Sequence, residues 1–124
     1  MIASGDLIAF AATADPDRAC AFYRDVLGLA LVERNAFASV FDANGIMLRV
    51  TTVERVVPRP YTVLGWMVED LEAALGELAD AGLEPLRYDG LEQDAAGVWT
   101  APSGGRIAWF RDPDGNTLSL TQRS

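Results

Sequence analysis

The chain has 124 residues, half of them hydrophobic, which is enough for one compact domain with its own core. A net charge of -8 and an isoelectric point near 4.3 argue against nucleic acid or an anionic membrane surface as a partner. With no His and a single Cys, Cys20, the sequence excludes a Ser-His-Asp or Cys-His centre, an internal disulfide and a cysteine-based zinc site.

In chain order, residues 6–12 (DLIAFAA) alternate as a strand with Ile8 and Phe10 on one face. Asp15-Pro16 supplies a helix cap followed by proline at the first helical position, and the helix runs to about Leu27, burying Ala19, Phe22, Tyr23, Val26 and Leu27 before Gly28 ends it. Cys20 lies on this helix as a buried, inert thiol. Strands are predicted at 29–34, 37–42 and 46–52, the last two joined through Asn44-Gly45, a hairpin signal. The stretch 57–60 (VPRP) reads as a linker.

A second strand-helix series follows. Residues 61–68 form a strand, and Asp70 caps a helix whose Leu71, Ala74, Leu75 and Leu78 share one face before Gly82 ends it. Residues 84–88 are a strand candidate, and 89–105 read as a long loop carrying Trp99. Ser103-Gly104-Gly105 precedes a strand, not a helix, and makes a poor phosphate loop. The chain closes on a hairpin: Ile107, Trp109 and Phe110 enter a polar tip, 112–116 (DPDGN), and 117–121 leave it. On the exit strand Leu118 and Leu120 share one face, and Thr117, Ser119 and Thr121 the other.

The two halves match by counting. Asp15 to Leu29 is 14 residues and Asp70 to Leu83 is 13, while NGIML at 44–48 parallels DGNTL at 114–118. The expected fold is α+β: a single domain of two tandem βαβββ modules, about 1–56 and 61–124, whose curved mixed sheets form a cupped cavity with the helices outside.

The segments DPDRACAFYRDVLGL (15–29), VEDLEAALGELADAGLEPL (68–86) and AWFRDPDGNTLSL (108–120) resemble the vicinal oxygen chelate superfamily. That superfamily contains glyoxalase I, extradiol dioxygenases, fosfomycin-resistance enzymes and bleomycin-binding resistance proteins. The resemblance implies metal ligands seven residues before each helix-starting acid and four past each hairpin glycine. Those places hold Ile8, Val63, Arg49 and Ser119. Two aliphatic chains, a guanidinium and a neutral hydroxyl cannot chelate a divalent ion, so no metal or other cofactor is expected. Displaced carboxylates such as Glu33, Glu54, Glu69 or Glu92 are the rival ligand set, with solvated surface as their ordinary reading.

Arg49 alternates with Leu48 and Val50 and faces the cup. It reads either as an anchor for a carboxylate, phosphate or phenolate ligand, or as one half of an internal ion pair with a group such as Glu33, or as a side chain reaching solvent at the mouth. The remaining candidate lining comprises Ile8, Phe10, Tyr61, Val63, Gly65, Met67, Thr117, Ser119 and Thr121, with Trp99 and Trp109 as walls. For Phe10, Val63 and Met67 simple filling between sheets is the competing reading, and for Trp99 a lid or dimer contact.

The expected function is metal-independent binding of an aromatic or anionic small molecule, of the bleomycin-resistance-like type. The alternatives are a glyoxalase-like or dioxygenase-like enzyme with relocated ligands or metal-free acid-base chemistry, and a structural or regulatory dimer with no ligand of its own. A homodimer, a small-molecule partner, no nucleic acid and no membrane are expected. No apolar run approaches a membrane span and no basic residue precedes Arg18, so neither a spanning helix nor a signal peptide is predicted and a cytoplasmic location is expected.

Overall fold

The structure is a computed structural model describing residues 1–124, and the chain divides into two compact units: Met1–Pro58 with Pro113–Gly115, and Arg59–Asp112 with Asn116–Ser124. The first unit contains β1 (Ile8–Thr13), α1 (Pro16–Ala21), β2 (Ala30–Arg34), β3 (Ala38–Ala43) and β4 (Ile46–Thr52). Its sheet order is β1-β4-β3-β2, with β1 parallel to β4 and the other pairs antiparallel. The second unit contains β5 (Thr62–Met67), α2 (Leu71–Asp80), β6 (Trp99–Thr100), β7 (Arg106–Arg111) and β8 (Thr117–Gln122), in the order β5-β8-β7-β6 with the same mixture of directions. Each is a βαβββ module with a four-stranded mixed sheet, and the fold is α+β.

The helices begin where the caps place them. The Asp15 carboxylate accepts the Arg18 N–H at 3.2 Å and the Asp70 carboxylate accepts the Ala73 N–H at 3.0 Å. Each such cap contributes about 1 kcal/mol. The first helix departs from the expected regular run to Leu27: beyond Ala21 it widens into a π turn over Phe22–Val26, closed by the Leu27 N–H on the Phe22 carbonyl at 3.1 Å. Both Phe22 and Tyr23 are buried there. Their rings meet edge-on at 5.2 Å, and Tyr23 reaches Phe41 of β3 at 5.8 Å.

Alternation sets the apolar core on the helix side of each sheet, while the central parts of β3 and β8 are buried on both faces. β4 buries Leu48 and Val50, and β8 buries Leu118 and Leu120 alongside Ala108 and Phe110 of β7 and Leu71 and Leu78 of α2. The β3–β4 turn places Asn44 at φ 53° and Gly45 at φ 90°, two consecutive left-handed residues as a tight hairpin requires.

Two expectations are corrected. Residues 84–88 form no strand. Pro85 has no N–H to give a ladder, and one main-chain bond, from the Leu86 N–H to the Trp109 carbonyl at 2.8 Å, ties this stretch to β7. The Gln93 carboxamide takes the place of a partner strand: it accepts from the Tyr88 N–H and donates to the Leu86 and Gly97 carbonyls, each at 2.8 Å. Gly97 stands at φ 86°, where an added Cβ would lie 2.5 Å from the Pro85 ring. Nor is Trp99 in a loop. It belongs to β6, paired with Ile107.

The DPDGN tip is a clasp. The buried Asp112 carboxylate accepts the Asn116 main-chain N–H at 2.9 Å and its Nδ2 at 2.8 Å, and Asp114 accepts the Ala14 N–H at 2.9 Å.

On the outer side of the second unit, Glu72 of α2 pairs with Arg106 of β7. The hydrogen bond from Arg106 is the main reason that the Glu72 carboxyl titrates below its ordinary value of 4.5. A carboxylate lowered by folding stabilises the fold above its unfolded pKa, and that contribution is lost as pH falls through the folded value. Glu72→Gln is therefore expected to lower the melting temperature slightly at neutral pH, to do so less in high salt, and to converge with the parent as Glu72 becomes protonated, in thermal melts stepped from neutral to acid.

Candidate functional site

The face of each sheet turned away from its helix is where the candidate residues collect. In the first unit, register sets Phe10 beside Arg49 and Ile8 beside Met47. Ile8 and Phe10 are 44% and 55% exposed, a large apolar share for strand residues beside a buried core. Arg49 is half-buried and takes part in none of the ion pairs, which are Arg24–Asp25, Arg34–Asp17 and Arg106–Glu72. Glu33, the expected partner, lies one strand beyond Val40 in the same row and accepts from Asn35 Nδ2 at 2.9 Å instead. The guanidinium thus keeps its charge and its donors unspent on the chain's own carboxylates.

In the second unit two rows cross the sheet. One runs Gly65, Ser119, Trp109, and the next Met67, Thr121, Ile107, Trp99. Ser119 is buried, and a Cβ on Gly65 would stand 2.6 Å from its Oγ, so the glycine provides the space the hydroxyl occupies. Met67 is 56% exposed. Val63 is the extra residue of a bulge in β5, between the Thr62–Thr117 and Leu64–Leu118 pairs, and is exposed. Thr117 is buried, its hydroxyl 3.4 Å from the Arg59 carbonyl. Tyr61 precedes β5, is exposed and joins neither row, contrary to its expected place on the strand.

Three aromatic residues of the second unit form a cluster. Trp109 stands at the centre, with Trp99 at 6.5 Å in a tilted pair and Tyr88 at 5.3 Å edge-on, and all three are half-buried. Sequence reasoning missed Tyr88, which it placed in a strand, and Gln93, whose bond to the Tyr88 N–H fixes where that ring begins. The signal for Gln93 was its position in a polar loop between two aromatics, which no periodicity marks. The cluster offers flat apolar surface with an indole N–H and a phenol as polar handles.

The four positions that would carry metal ligands hold Ile8, Arg49, Val63 and Ser119, and no group of three or more His, Cys, Asp or Glu side chains is placed to hold a metal ion. This donor set does not fit a divalent metal, because such an ion needs several N, O⁻ or S⁻ donors converging on one point. No helix is long and apolar enough to cross a membrane.

Comparison with solved structures shows the same fold in proteins of low sequence identity. The fosfomycin resistance protein FosX from Listeria monocytogenes aligns with a TM-score of 0.76 at 14% identity, over 98% of this chain and 94% of that one. TioX from Micromonospora sp. ML1 aligns at 0.72 and 20% identity, over 98% and 100%. Lactoylglutathione lyase from Agrobacterium tumefaciens aligns at 0.70 and 20% identity, over 96% and 95%. No curated protein matches the chain. The model of the Glyoxalase/Bleomycin resistance protein/Dioxygenase superfamily matches residues 7–120. With its two βαβββ modules and its DPDGN hairpin, the chain belongs to that superfamily.

Proposed function

We propose that the chain is a metal-independent small-molecule-binding protein of the bleomycin-resistance-like type, taking a flat aromatic or anionic compound on its open sheet faces. The observation that carries this reading is the half-buried Tyr88–Trp109–Trp99 cluster on an open sheet face. Rings already packed against one another lose little freedom when a planar ligand covers them. On the open face of the first unit, Arg49 is a separate anionic handle, since a guanidinium with no carboxylate partner can meet a carboxylate or phenolate through two parallel hydrogen bonds. Superfamily neighbours include proteins named for fosfomycin resistance and for lactoylglutathione lyase activity, so the fold alone does not decide the activity. The donor set at Ile8, Arg49, Val63 and Ser119 favours binding here.

The probe is 2-naphthoate, followed by tryptophan fluorescence. Trp109→Ala is expected to weaken 2-naphthoate and uncharged 2-naphthalenemethanol alike about tenfold or more, and Arg49→Ala to remove any 2-naphthoate-dependent amide shifts at Phe10 and Met47 on the first unit's own face, each at unchanged melting temperature. Unchanged affinity in Trp109→Ala together with unchanged shifts in Arg49→Ala would remove the reading. Prolonged chelation followed by elemental analysis is expected to leave less than stoichiometric metal and the same naphthoate affinity; a tightly held equivalent of metal whose removal abolishes binding would point to an enzyme. The exposed Ile8, Phe10 and Met67 also suit a partner copy, and sedimentation is expected to give twice the 13.4 kDa chain mass, against a monomer at all concentrations as the opposing result.

A further inference from the structure

The second unit contains a cavity beside α2 that Trp109 borders at one edge. It has a volume of about 400 Å³, within the range of small-molecule sites, and sits between α2, the stretch after it and the 95–96 turn, with Phe110 of the helix-covered side among its walls. Leu75, Gly76 and Ala79 of α2 line one wall, and Leu83 and Pro85 another.

Three features set it apart from a packing gap. Gly76 occupies the interior of α2, where glycine costs helix stability relative to alanine, yet a Cβ there would meet no atom within 4 Å. No neighbouring group demands the glycine, which stands exposed at the cavity's edge. The wall opposite is pre-formed: Asp94 Oδ1 accepts the Ala96 and Val98 N–H groups at 2.9 Å each, and the Arg87 guanidinium donates to the Asp94 and Ala95 carbonyls at 2.8 and 2.7 Å. The third feature is charge at the rim. Glu72 is balanced by Arg106, whereas Glu84 is exposed and in no ion pair, leaving one uncompensated carboxylate beside an apolar interior.

We propose that this cavity is a second binding site, for an apolar molecule carrying one cationic group, with the apolar body against Leu75, Leu83 and Phe110 and the cation at Glu84. Trp109 borders this cavity as well as belonging to the aromatic cluster, so variants at Gly76 and Glu84, which lie outside that cluster, separate the two sites.

The test uses 4-phenylbutylamine and its anionic counterpart 4-phenylbutyrate, titrated into the full chain and read by amide chemical shifts. The amine is expected to give saturable shifts at Leu75, Gly76, Ala79, Ala95 and Ala96, and the acid to bind at least about tenfold more weakly. Gly76→Leu, which fills the space, is expected to abolish the shifts, and Glu84→Gln to bring amine and acid close to parity with the fold intact. Shifts gathered at Gly65, Ser119 and Thr121, undiminished binding in Gly76→Leu, equal binding of acid and amine by the parent chain, or no saturable binding of the amine would each overturn the proposal.

Discussion

The period of two along a β-strand governs this molecule. Once Leu118 and Leu120 are buried on the α2 side, Ser119 and Thr121 have no choice but to face away, and the same holds for Arg49 between Leu48 and Val50. A one-residue slip would turn an apolar core outward and a guanidinium inward, at a cost of several kcal/mol for the charge alone. The core therefore determines the identity of the open face without itself taking part in it. The clasp at Asp112 and Asn116 protects that register at the hairpin where it would otherwise be easiest to lose.

Much of this was legible because the signals were local. Asp15-Pro16, Asp70, Gly82 and Asn44-Gly45 each state their own conformation, and the predicted 46–52 strand coincides with β4. The failures share a cause: they depend on partners far along the chain or on side chains acting as backbone. Residues 84–88 have strand composition, but Pro85 removes a donor and Gln93 satisfies the remaining groups, so the stretch stays irregular. Trp99 was hidden by its polar surroundings, since a two-residue strand has no periodicity to detect. The choice between a paired and an unpaired Arg49 depended on where Glu33 turned, and Asn35, two residues away, captured it.

The superfamily's best-known motif changes meaning in this light. The DPDGN hairpin is explained by hydrogen bonds made within the tip and to the Ala14 N–H, none of which involves the position four residues beyond the glycine. Its presence reports a fold requirement and does not determine which residue stands at position 119. A chain can therefore keep the motif and change the site, which is why membership of the superfamily and activity within it are distinct questions.

The stretch from Leu86 to Val98 closes on itself. Gln93, Asp94 and Arg87 satisfy it from within, and its ties to the sheet are the Leu86 N–H at one end and the short β6 at the other. Such a segment behaves as an interchangeable part. Because its internal bonds do not draw on the sheet ladder, its length and sequence can drift while the eight strands stay as they are, carrying Tyr88 on one side and the Ala95–Ala96 turn on the other. Selection acting on this one segment bears on both proposed recognition surfaces at once, provided that Val98, which belongs to the core, is kept.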